Sequence, residues 1–179
     1  MKLRIIIAAP VILALLCAGV IYLSHKREMN RRDACLSSLR STGWALAVYR
    51  DHYEGFLPPD FSLMSESQIL TSPWISVCPK DKKPGDMKDI TKWMDYIYIP
   101  WPRTDGEYAK YPLMYDRRLS NHNGKGICVV LVEQAVCPAC PDFPETYKGQ
   151  FFWDEGAKWL QKFAKEHPDL KIPMPEDLK

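Results

Sequence analysis

Apolar residues run almost unbroken from Ile5 to Leu23, and polarity rises abruptly at Ser24. A helix rises about 1.5 Å per residue, so a run of this length suffices to cross the roughly 30 Å hydrocarbon core of a bilayer. Beyond it, Leu36, Leu39, Gly43, Leu46 and Tyr53 recur at three- and four-residue steps. That period places them on one stripe of a helix, ready to pack on a sheet or on neighbouring helices. No breaker stands between Ser24 and Arg40, whereas Gly55 and then Pro58-Pro59 end the pattern. The predicted element is one rod: a transmembrane anchor over 1–23 that continues as a polar-faced helix to about residue 54.

From Pro58 onward the pattern shortens. Fourteen of the fifteen prolines lie there, which rules out long helices before residue 150. A short helix is expected over Met64–Leu70, and short strands over Trp74–Val77, Asp95–Ile99, Tyr111–Tyr115 and Ile127–Val132. Lys80–Lys92 and the Gly/Asn-rich stretch Asn121–Gly126 read as solvated loop and turn. Asp154–Glu166 reads as an amphipathic helix with Ala157, Leu160, Phe163 and Ala164 on one face, followed by an extended, proline-marked tail. The fold class is therefore α+β, divided into an anchor (1–23), a helix-plus-sheet domain (24–136) and a C-terminal extension (137–179).

Charge narrows the function. Lys2 and Arg4 are the only charged residues before Ser24, and the remaining 156 residues carry 22 basic and 22 acidic side chains. A neutral domain lacks the basic stripe that nucleic acid requires. Five cysteines (Cys35, Cys78, Cys128, Cys137 and Cys140) follow the apolar run, which itself holds Cys17. Such usage behind a targeting segment points to an oxidising compartment. The run is longer than a signal-peptide core and is expected to be retained. Lys26, Arg27, Arg31 and Arg32 flank it on the far side and, counted strictly, would place the domain in the cytoplasm. The cysteines, and the acidic Glu28 and Asp33 among those bases, favour the opposite side.

The segment from Cys35 through Leu36, Leu39, Gly43, Tyr49 and Tyr53 to Gly55-Phe-Leu-Pro58 resembles the helix end of type IV pilin-like proteins, and type II secretion pseudopilin-like proteins in particular. Cys78-Pro79, the aromatic strand Tyr96-Ile-Tyr98, and Asp116 followed by His122-Asn123-Gly124 and an apolar strand keep the order of that group. The resemblance spans Met1 to about Val136. It implies a long helix packed on an antiparallel sheet of about four strands, no catalysis, and a structural or assembly role in the bacterial inner membrane with the domain facing the periplasm. It also implies a disulfide candidate in Cys35 and Cys78. Two features depart from the group. Met1–Ile7 offers neither the glycine nor the glutamate of a prepilin peptidase site, and Val132-Glu133-Gln134-Ala135 stands where Asp-Gly-His is usual.

Other chemistry is weaker. Cys137-Pro-Ala-Cys140 has thiol-exchange spacing, but Pro141 and Pro144 prevent the following helix that would activate the first sulfur. A local disulfide accounts for the pair better. Cys137, Cys140, Cys128 and His122 could together hold zinc, yet a second paired ligand set is missing, Cys128 sits mid-strand and His122 lies in a turn. No hydrolase or phosphate-binding motif appears. No catalytic residue, metal or cofactor is expected. The expected partners are membrane lipid and proteins, including self-association through the N-terminal helix. A membrane-tethered binding module, using the aromatic group from Trp93 to Tyr115, and a thiol–disulfide oxidoreductase are the alternative functions.

Overall fold

The computed structural model describes residues 2–78, 83–102, 111–122, 126–131, 150–153 and 156–178. It is α+β. A single helix, α1, runs from Lys2 to His52 and passes through Pro10 without a break. It ends where Glu54 and Gly55 turn left-handed, and the Gly55 N–H caps the Arg50 carbonyl at 2.9 Å. Glycine at such a position removes the Cβ clash that continuation in this conformation would impose.

Among the described residues, no helix is long and apolar enough to cross a membrane. The described side chains of α1 are Pro10 and those from Ile12 onward, so they cover the distal part of the Ile5–Leu23 run.

Four strands follow in simple order: β1 (Tyr96–Tyr98), β2 (Pro112–Asp116), β3 (Gly126–Leu131) and β4 (Gln150–Trp153). Each pairs antiparallel with the next, so the sheet order is β1-β2-β3-β4. The register shifts between Pro112 and Met114, a suitable place for a residue that has no N–H to give the ladder. Short helices α2 (Leu63–Glu66) and α3 (Ile90–Trp93) lie between α1 and the sheet strands in sequence, and α4 (Gly156–Glu166) follows β4.

Alternation along the strands separates two faces. Tyr96 on β1, Asp116 on β2 and Cys128 on β3 meet α1 or one another. Tyr115 reaches the other way, its hydroxyl donating to the Pro173 carbonyl, and Tyr111 stacks edge-on against Phe163 of α4. Every residue of β2 is buried, as sandwiching between two layers requires. Leu39 and Leu46 of α1 are fully buried, Gly43 is buried between them, and Leu36 packs partly covered at the margin. Full burial of each leucine contributes roughly 1.5–3 kcal/mol.

Several expected elements differ. Pro73–Ser76 is a 3-10 turn rather than a strand, with proline at its first position, where a missing N–H costs nothing. The charged stretch before Trp93 is not a plain loop: Asp86 caps a turn at Met87–Asp89, and Ile90 of α3 is fully buried. The tail is docked rather than free. Asp177 accepts from the Leu119 and Ser120 N–H groups at 2.8 Å each, and Arg118 pairs with Glu176 at 2.7 Å.

Candidate functional site

The described polar groups buried deepest gather where α1 crosses the sheet. Each arrives from a different element. Cys35 comes from the buried stripe of α1, one turn before Leu39. Cys78 follows the Pro73–Ser76 turn, and its N–H donates to Asp95 Oδ2 at 3.1 Å. Asp116 ends β2, Cys128 lies on β3, and His122 closes a 3-10 turn over Leu119–His122 between them. Cys35, Asp116, His122 and Cys128 have no solvent exposure, and Cys78 has almost none.

The donor atoms of Cys35, Cys78, Asp116 and His122 lie within 4.8 Å of one another. His122 Nε2 is 3.4 Å from the Cys128 sulfur, 4.0 Å from that of Cys78 and 3.5 Å from Asp116 Oδ2. The Cys35 sulfur is 3.1 Å from the Tyr96 hydroxyl and 3.5 Å from Asp116 Oδ1. Asp116 Oδ2 also accepts from the Cys128 N–H at 2.6 Å. On the far side of the imidazole, Nδ1 faces Glu28 Oε1 at 3.5 Å, and Arg32 Nε donates to the same oxygen at 3.3 Å. Glu28 and Arg32 are one turn apart on α1, so the helix presents them as a pair.

This environment sets the protonation of the cluster. Burial pushes the Cys35 thiol well above its ordinary value. Contact with Cys35, and then burial, raise Cys78. Burial raises Cys128 to about 11. Burial alone would lower His122, but the Asp116 carboxylate and the Cys78 sulfur outweigh it and hold the imidazole pKa up. A charged His122 against Asp116, with protonated thiols around them, is a satisfied arrangement in a medium where an unpaired charge would be costly.

Sequence patterns had set these residues apart. His122 is not a solvated turn residue but a core residue, because α1 brings the Glu28 carboxylate to one ring nitrogen while Cys78 and Cys128 border the other, partners that local composition does not reveal. Cys128 is not merely a small apolar strand residue, since it borders the imidazole. Asp116, Asp95 and Glu28 are buried as well. The signal available in the sequence was the spacing of Asp116, His122 and Cys128 across one strand–turn–strand unit. Cys35 and Cys78 do come together, both as free thiols in this structure. Cys137 and Cys140 lie outside the described residues, so a pairing or a zinc site built on them finds no geometry here.

No family model matches the chain, and comparisons with curated proteins and with solved structures give no match either.

Proposed function

We propose that this chain is a membrane-anchored, pseudopilin-like structural or assembly subunit, held by its N-terminal helix in a bacterial inner membrane with the sheet domain on the periplasmic side. One observation carries the reading. On α1, Ile12, Leu13, Leu15, Leu16, Val20, Ile21, Tyr22 and Leu23 are each 54 to 70 % exposed. At 100° per residue these positions surround the helix, so it has no polar face to turn toward water. A helix apolar on all sides needs a covering of lipid or of other helices. The apolar run extends back to Ile5, which gives it the length of a bilayer core. The other half of α1 is buried in its own domain through Cys35, Leu39 and Leu46, which leaves the apolar half as the part free to associate.

Photocrosslinkers placed singly over residues 11–23 in native membranes test the assembly role. Adducts to a second copy or to a partner along one helix face are expected, and a lack of any adduct would sink it.

The tethered binding module has one observation in its favour. A groove of about 380 Å³ is lined by Tyr49, His52, Tyr53, Phe56 and Leu57 at the end of α1. Phe56 is 63 % exposed and Tyr49 stacks on Tyr53 at 4.1 Å, an aromatic surface suited to contact. Loss of a captured partner on Phe56→Ser, with crosslinking from residues 11–23 absent, would favour this reading.

A further inference from the structure

We propose that Cys35, Cys78, Asp116 and His122 form a binding site for a zinc ion, which would pin α1 to the sheet. The inference goes beyond the assembly role and does not depend on it.

Two sulfurs, one imidazole nitrogen and one carboxylate oxygen converge from four separate elements, with no donor atom more than 4.8 Å from another. In a tetrahedral zinc site, bonds of 2.0–2.3 Å place ligand atoms about 3.3–3.8 Å apart. Closing the present spacing to that value takes side-chain shifts of roughly an ångström, within the reach of a rotamer adjustment. Thiolate and imidazole donors select a borderline-soft ion, and the all-oxygen preference of calcium and magnesium excludes those.

The orientation of His122 is the more specific sign. Nε2 points into the cluster, 3.5 Å from Asp116 and 4.0 Å from the Cys78 sulfur, while Nδ1 points away toward Glu28 at 3.5 Å. A metal-binding histidine needs one nitrogen for the ion and commonly gives the other N–H to a carboxylate, which fixes tautomer and ring plane. Glu28 is suited to that task because Arg32 holds it from the next turn. Tyr96 has its hydroxyl 3.1 Å from the Cys35 sulfur, where it would donate to a thiolate. The backbone of Cys78 is fixed by Asp95. Cys128 stands at the wall, its backbone N–H holding Asp116 Oδ2. A disulfide between Cys35 and Cys78 would use two of the four donors and leave His122 Nε2 facing Asp116 across 3.5 Å without them.

The full-length chain, extracted in detergent under reducing conditions and stripped with a chelator, would be titrated with Zn²⁺ alone and separately with Co²⁺. About one ion per chain is expected after gel filtration, with thiolate-to-cobalt charge-transfer absorption and the intense visible bands of a tetrahedral site. Cys35→Ser and Cys78→Ser should each abolish stoichiometric uptake. The Cys137→Ser/Cys140→Ser double variant replaces none of the four proposed ligands and should keep the cobalt spectrum, so the assignment stays testable where a core variant misfolds. The proposal is overturned by absent uptake in the wild-type chain, by uptake that survives Cys35→Ser, or by loss of the spectrum in the double variant. A Cys35–Cys78 disulfide mapped in chain isolated from cells without reductant would overturn it equally.

Discussion

Glu28 and His122 are 94 positions apart in sequence, yet the carboxylate of one lies 3.5 Å from the imidazole of the other. Helix α1 and the connection from β2 to β3 therefore share a polar contact inside the molecule as well as an apolar one. Through Glu28, Arg32 is drawn into the same buried group.

The contact predicts an asymmetry between single and double changes. Glu28→Ala removes the carboxylate that serves both Arg32 and His122, and loss of one member of a buried pair typically costs about 3–5 kcal/mol. Replacing both, as Glu28→Leu/Arg32→Leu, should recover much of that loss, because two buried charges go together. Urea unfolding of the detergent-solubilised chain, followed by tryptophan fluorescence, measures both. Equal losses in the single and double variants would contradict the pairing.

The stripe of α1 predicts a gradient along the helix. Leu39→Ala and Leu46→Ala should each destabilise the domain by about 2–5 kcal/mol, as expected for fully buried leucines. Leu36→Ala should cost less, since its side chain is partly covered. Leu15→Ala, far from the sheet, should leave the same transition within about 0.5 kcal/mol.

Asp177 gives a pH signature. Partial burial pushes its carboxyl up, but hydrogen bonds from the Leu119 and Ser120 N–H groups outweigh this and hold its pKa below the ordinary value. A carboxylate with a depressed folded-state pKa adds stability above its unfolded value, near pH 4, and that gain is lost as pH falls through the folded one. Asp177→Asn should therefore lower the thermal midpoint at neutral pH, by an amount equivalent to about 0.5–1 kcal/mol for a partly exposed cap. The wild-type and variant midpoints should converge as pH falls below the depressed folded-state value.

The tail predicts a protease phenotype. Tyr115 donates its hydroxyl to the Pro173 carbonyl, and the Glu176 N–H bonds the Arg117 carbonyl at 2.9 Å. Tyr115→Phe keeps the ring and removes one hydrogen bond, worth about 1 kcal/mol. Cleavage after Lys171 should accelerate by several fold, while unfolding of the sheet should shift little.

Much of the scaffold was readable locally. The three- and four-residue recurrence of Leu36, Leu39, Gly43 and Leu46 marked the buried stripe, and Ile127–Val132 announced β3 within a residue at either end. Beyond such periodic segments local signals misled. Trp74–Val77 is rich in strand formers, yet Pro73 starts a 3-10 turn there. β4 is four residues long, too short for alternation to stand out. His122 shows the limit most clearly. Its asparagine and glycine neighbours signal an exposed turn, and its burial is decided by Cys35 and Glu28, which approach from a helix far away in sequence. Constellations assembled by topology leave little trace in spacing along the chain.

The geometry of α1 also bears on how freely the domain could move. Glu28, the first helix residue covered by the domain, comes five residues after Leu23, where the apolar run ends. Five residues of helix advance only about 7 Å, close to the depth of a headgroup layer. With Ile5–Leu23 in lipid, no spacer would separate anchor from cargo. The body would rest against the bilayer surface, turn only as the rod turns, and transmit any piston or rotary displacement of the rod directly.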